Sequence, residues 1–152
     1  MSEVLIVDDE RPVRELLAKW LGPLGYTLNQ APDPVAALEV LAAKPIGVVL
    51  IDKDMPGDHN GLWLVEQIQK GHHAVAMLLA TGDDAIPPRI SMSRGIQGYL
   101  VKPFKKDLVL QSVSDAMAWH TVAAKQPRPD PNAPDPIDSW LQGRAGRPPK
   151  TE

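Results

Sequence analysis

The feature that most constrains this chain is an alternation, over its first 103 residues, of short apolar runs with longer amphipathic stretches. The runs occupy residues 4–7, 27–31, 48–51, 75–80 and 99–101. Four of them are almost continuously apolar and partly β-branched, the pattern of strands buried on both faces of a parallel sheet. The second is more polar and suits a sheet edge. The stretches between them read as helices. Pro12 stands where a first helical turn tolerates it, with Leu16, Leu17, Trp20 and Leu21 following at helical spacing. Asp33 and Pro34 form a cap and first-turn pair ahead of Val35, Leu38 and Leu41. Asn60 is placed to cap a helix carrying Leu62, Val65 and Ile68. Asp84, Pro87 and Pro88 introduce a short fourth helix ending near Gly95. A fifth, from about Lys105 to Lys125, presents Leu108, Val109, Val113, Ala116 and Met117 as its apolar stripe. Strands that alternate with helices imply right-handed crossovers. The fold class expected is α/β: a doubly wound five-stranded parallel sheet in the flavodoxin-like order 2-1-3-4-5, with five helices.

The rhythm stops at about residue 125. Residues 126–152 hold seven of the sixteen prolines and little apolar periodicity, and read as a disordered tail or interdomain linker. One island in it, Ile137-Asp138-Ser139-Trp140-Leu141, could form a helical turn. The domains expected are therefore 1–125 and the tail 126–152. Sixteen basic against nineteen acidic residues give no global attraction to nucleic acid. The absence of cysteine excludes disulfide and thiolate chemistry. Neither a signal peptide nor an apolar stretch approaching the ~20 residues of a membrane helix is visible, so a cytoplasmic location is expected.

In a doubly wound sheet the functional crevice lies beyond the C-terminal ends of the strands. The first run ends in Asp8 and Asp9, the third in Asp52, the fourth in Thr81 and the fifth in Lys102. Clustered carboxylates repel one another unless a cation joins them. Oxygen-rich sites with open positions suit Mg²⁺ or Mn²⁺, held with a substrate phosphate. A lysine and a hydroxyl can bind the oxygens of a transferring phosphoryl group, and an in-line carboxylate can accept it as an aspartyl phosphate. The residue set points to phosphoryl chemistry on these grounds alone.

From about Glu3 to Lys125 the chain resembles the receiver domains of two-component response regulators. The segments that carry the resemblance are Val4-Leu5-Ile6-Val7-Asp8-Asp9-Glu10, Val49-Leu50-Ile51-Asp52 followed by Met55-Pro56-Gly57, Leu78-Leu79-Ala80-Thr81-Gly82, and Gly98-Tyr99-Leu100-Val101-Lys102-Pro103-Phe104. The resemblance implies that Asp52 accepts phosphate from a sensor histidine kinase or His-phosphotransfer protein. It implies that Asp8, Asp9, Asp52 and the backbone carbonyl of Asp54 ligate the metal. Thr81 and Lys102 would bind the phosphoryl group, with a cis peptide between Lys102 and Pro103. Tyr99 would move inward with Thr81, so that phosphorylation switches a surface of helix 4, strand 5 and helix 5 for a downstream protein or a homodimer. Kinase specificity would lie on helix 1 and the last loop, at positions such as Arg14, Leu17, Ala18 and Phe104. Such a domain is a switch rather than an enzyme, catalysing only its own phosphoryl transfer and dephosphorylation.

The chain departs from the family pattern in places. Asp54 is an unusual acid at a position that tunes the lifetime of the phosphate, and Asp83 occupies another such position. Gly82 stands where alanine is more usual, and the loop of residues 55–61 is one residue longer than usual. His59 lies in that loop, and a zinc site is disfavoured. Gly143-Arg144-Ala145-Gly146-Arg147-Pro148-Pro149-Lys150 faintly resembles a minor-groove hook, with a solvated basic tail as the plainer reading. Two outputs remain open: a stand-alone receiver, or the receiver part of a larger regulator with a DNA-binding or enzymatic domain beyond residue 152. A flavodoxin-like nucleotide-binding enzyme is the competitor from another class. It would want a glycine-rich loop where Asp8-Asp9-Glu10-Arg11 stands. A degenerate receiver would lack the acidic set.

Overall fold

A continuously apolar strand has two faces to bury, and the period-2 geometry of the strand divides its side chains between them. In the computed structural model, which describes residues 2–82 and 95–127, this division builds two cores. Leu5 and Val7 of β1 (Glu3–Val7), Val49 and Ile51 of β3 (Ile46–Asp52), and Met77 and Leu79 of β4 (Ala76–Thr81) enter one core. Val4, Ile6, Val48, Leu50, Ala76 and Leu78 enter the other. With β2 (Thr27–Ala31) and β5 (Ile96–Val101), these strands form one parallel sheet in the order β2-β1-β3-β4-β5. That is the order expected from the sequence.

Among the described residues, four α-helices cover the sheet. α2 (Pro34–Ala43) and α3 (Gly61–Gly71) lie on the first face, with Ala37, Leu41, Leu64, Val65 and Ile68 in its core. α1 (Arg11–Leu21) and α4 (Lys106–Ala123) lie on the second, contributing Leu17, Leu21, Val109, Val113 and Ala116. α4 is the fifth helix of the sequence reading. The helix expected from Asp84 lies outside the described residues, as do Asp83, the Ile137–Leu141 island and the basic end of the tail. The capping residues act as expected. Asp33 accepts from the Ala36 amide at 2.8 Å and Asn60 from the Trp63 amide at 3.0 Å.

Several packing expectations are corrected. Val35, Leu16 and Leu108 are exposed, because each helix turns a narrower stripe inward than apolar spacing alone suggested. β5 is not buried on both faces. It is an edge strand with Tyr99 and Val101 about half exposed, and it begins earlier, at Ile96. β3 also begins earlier, at Ile46, and includes Gly47. A Cβ there would come within 2.8 Å of both Met117 and His120 of α4, so the glycine sets how closely the helix approaches. His120 Nδ1 lies 2.7 Å from the Ala74 carbonyl, tying the same end of α4 to the chain before β4.

Candidate functional site

Register brings the candidate residues together. Val7 pairs with Ile51, so Asp8 lies level with Asp52, one step beyond. Asp52 pairs with Ala80, and Thr81 with Val101, so Thr81 and Lys102 follow on the next two strands. The ladder continues past the strand ends. The amides of Asp8, Lys53 and Lys102 donate to the carbonyls of Ala31, Ala80 and Thr81 at 3.2, 2.8 and 2.8 Å. The backbone that carries each side chain is thereby fixed.

The two buried acids are held alike. Asp8 Oδ1 accepts from the Glu10 amide at 2.9 Å, and Asp52 Oδ1 from the Asp54 amide at 3.1 Å. Their other oxygens face one ammonium: Lys102 Nζ lies 3.3 Å from Asp8 Oδ2 and 3.5 Å from Asp52 Oδ2. Asp8, Asp52 and Thr81 are buried, whereas Asp9 is exposed at the rim. One carboxylate oxygen from each of Asp8, Asp9 and Asp52 lies within 4.8 Å of the others. That spread suits a single hard divalent cation with room left for water and phosphate. The peptide between Lys102 and Pro103 is cis.

Electrostatics follow from this packing. Burial raises the Asp52 pKa above the ordinary carboxylate value, and the Asp8 charge adds to it. The Asp54 amide and Lys102 pull it down without cancelling the rise. For Lys102, burial acts downward as the largest single effect. Attraction to Asp52 and Asp8, with their hydrogen bonds, outweighs it, and the ammonium is held above its ordinary value.

The structure places the remaining candidates at the margin. The Asp54 side chain is 63% exposed, 3.9 Å from Lys53 Nζ, so the opposite charges flanking Asp52 form a loose pair. Tyr99 points outward from the edge strand at 49% exposure. His59 stacks on Trp63, ring centroids 3.8 Å apart, rather than standing free in its loop. Leu17 is buried in the core and offers no surface to a partner. Arg14 is already engaged, its guanidinium donating to the Asp8 carbonyl at 2.7 Å and to Gln30 at 3.3 Å.

One residue, Gly61, and one role, that of Arg14, escaped the sequence reading. Arg14 supports the backbone of Asp8, and no local pattern signals a contact to a carbonyl six residues back. Gly61, at the start of α3, lies against the backbone of Asp52 and Lys53. A Cβ would collide with the Asp52 carbonyl and lie 2.8 Å from Lys53 Cα. A glycine directly after a helix-capping asparagine is the signal that could have revealed it.

Comparison with known proteins decides the family. The model of the response regulator receiver domain matches residues 4–114. The chain belongs to the response regulator receiver family. This receiver is 32% identical over 109 residues to an NtrX-like response regulator of Rickettsia bellii, covering 70% of this chain and 23% of that one. It is 34% identical over 108 residues to the response regulator MprA of Mycobacterium ulcerans, covering 70% and 46%. The chain thus spans between about a quarter and a half of the length of these curated relatives. Among solved structures, the signal receiver domain of an HD domain-containing protein from Pseudomonas fluorescens superposes with a TM-score of 0.73 at 28% identity, over 80% of this chain and 98% of that one. TrrA of Thermotoga maritima, solved in complex with Mg²⁺ and BeF, superposes at 0.66 and 28% identity, over 76% and 99%. The receiver is a part of two-component signalling, and the described residues include no helix long and apolar enough to cross a membrane.

Proposed function

We propose that this receiver takes a phosphoryl group onto Asp52 from the phosphohistidine of a sensor kinase or phosphotransfer protein. In that step the P–N bond of the donor breaks, an Asp52 carboxylate oxygen bonds to phosphorus, and the donor imidazole regains its neutral form. One observation carries the reading: Asp52, at the end of the central strand β3, is buried within a divalent-cation-sized cluster between Asp8 and Asp9 on one side and Lys102, at 3.5 Å, on the other. Asp52 Oδ2, free of the Asp54 amide, is the oxygen on the lysine side. Mg²⁺ or Mn²⁺, bound by Asp8, Asp9, Asp52 and the Asp54 carbonyl, would neutralise charge on the phosphoryl oxygens. Lys102 and the Thr81 hydroxyl would bind those oxygens, Lys102 exchanging its hold on two carboxylates for the phosphate. Asp54 and Asp83 would set how long the phosphate lasts.

The change would pass to Tyr99 and the surface made by the expected fourth helix, β5 and α4 (the fifth helix of the sequence reading), where a downstream protein or a second copy would read it. Nucleic acid is not expected to bind this domain, whose net charge is −3. No enzymatic activity is proposed beyond the domain's own phosphorylation and dephosphorylation, and the cytoplasm is the expected compartment. Residues 1–125 would form the receiver and 126–152 its tail or linker. The greater length of the relatives favours a second reading of the output, a DNA-binding or enzymatic domain beyond residue 152. The length of the native reading frame distinguishes the two outputs. The test of the central reading is incubation with acetyl phosphate and Mg²⁺, followed by intact-mass measurement. Wild type should gain one phosphoryl group and Asp52→Asn none. A wild type that gains nothing, or an Asp52→Asn protein that is still modified, would refute it.

A further inference from the structure

A groove of about 370 Å³ runs between β5 and α4, lined by Tyr99, Val101, Phe104, Lys105, Leu108 and Ser112 among others. Tyr99, Val101 and Leu108 are 49, 45 and 56% exposed, so three large apolar side chains meet water side by side. Apolar patches of this kind mark contact surfaces. Lys105 lines the groove, and Lys106 and Asp107 are exposed beside it at the start of α4, so the two lysines outnumber the single acid there. The chain itself contains a complementary segment. Beyond Pro127 its large apolar side chains are Ile137, Trp140 and Leu141, spaced i, i+3, i+4, with Asp135 and Asp138 beside them.

We propose that residues 135–141 dock in this groove, the apolar side chains covering Tyr99, Val101 and Leu108, and the two aspartates facing Lys105 and Lys106. The segment would thereby occupy the face assigned above to the switch, and any partner would have to displace it. The inference deepens the proposed function and rests on it in that respect. Reach permits the docking. The groove meets α4 between Leu108 and Ser112, and the helix ends at Ala123. The chain must return about 17 Å along the helix at ~1.5 Å per residue. The ten residues from Pro127 to Ile137 span up to ~33 Å when extended. Charge and position argue against a second groove among the described residues, of about 440 Å³. It is lined by Asp33, Glu39 and Asp58, which would repel the acidic segment, and it belongs to the α2 side of the sheet.

The chain has no cysteine, so paired cysteines report contact directly. In the full chain, Ser112→Cys with Ser139→Cys should form an intramolecular disulfide under mild oxidation at least tenfold faster than Glu39→Cys with Ser139→Cys. Adding Lys105→Glu should slow it several-fold, and adding Asp138→Lys to that variant should restore it. Equal rates for the two pairs, or disulfides that join only separate chains, would overturn the docking, the second outcome in favour of a dimer contact. Acetyl phosphate uptake by the same proteins separates the two readings. Uptake without preferential cross-linking rejects the docking alone, and cross-linking without uptake rejects the acceptor reading alone.

Discussion

A carboxylate packed against another carboxylate and removed from water holds its proton longer than one in solution. Asp52 is in that position, and its native pKa stands above the ordinary carboxylate value. The unfolded chain therefore releases this proton at lower pH than the native protein does. As pH rises from the ordinary carboxylate range through the raised Asp52 pKa, the native state without metal loses stability relative to the unfolded one. Asp52→Asn should remove this loss. Urea midpoints of the two proteins, measured without divalent ions from about pH 4 to 7, should diverge in favour of the variant as pH rises. A constant difference would contradict the account. Mg²⁺ should raise the wild-type midpoint and leave that of Asp52→Asn much less affected. Asp54 is a different case: exposed and only loosely paired, it contributes little to the fold. Asp54→Met should leave the unfolding free energy within about 0.5 kcal/mol of wild type while changing the half-life of the phosphorylated form. Identical half-lives would remove Asp54 from the set of tuning residues.

At the scale of elements, the start of α3 bears directly on the acceptor. Asn60 caps the helix, and Gly61 lets its first turn rest on the backbone of Asp52 and Lys53. Gly61→Ala forces these segments apart, because the new methyl group meets main-chain atoms that have no rotamer to yield. The expected cost is about 1–3 kcal/mol in urea unfolding, together with slower phosphoryl uptake as Asp52 is displaced. Unchanged stability and uptake would show that the loop yields freely. β5 shows what sequence pattern leaves out. Its apolar residues 99–101 have the look of a central strand, yet it closes the sheet at the edge opposite β2. A run of three residues carries no record of its neighbours.

For the whole molecule, stability rests on two cores, one on each side of the sheet. Leu79 belongs to the first at 1% exposure. Leu79→Ala should cost about 2–5 kcal/mol, read as a lower Tm, with phosphoryl uptake retained wherever the variant is still folded. A loss below 1 kcal/mol would mean that the core refills the space.

The sequence by itself determined the alternation of strands and helices, the order of the sheet, the capping residues Asp33 and Asn60, and the set of Asp8, Asp9, Asp52, Thr81 and Lys102. These are local matters: apolar periodicity reports which segments are buried, and residues at strand ends converge once the strands are parallel. Only the tertiary structure decided which oxygens Lys102 faces, that Arg14 holds the Asp8 carbonyl, that Leu17 is core, that Leu108 and Tyr99 are exposed, and that Gly61 touches Asp52. Each of these depends on the distance between segments far apart in the chain, and that distance is set by how helices pack on the sheet rather than by any local pattern.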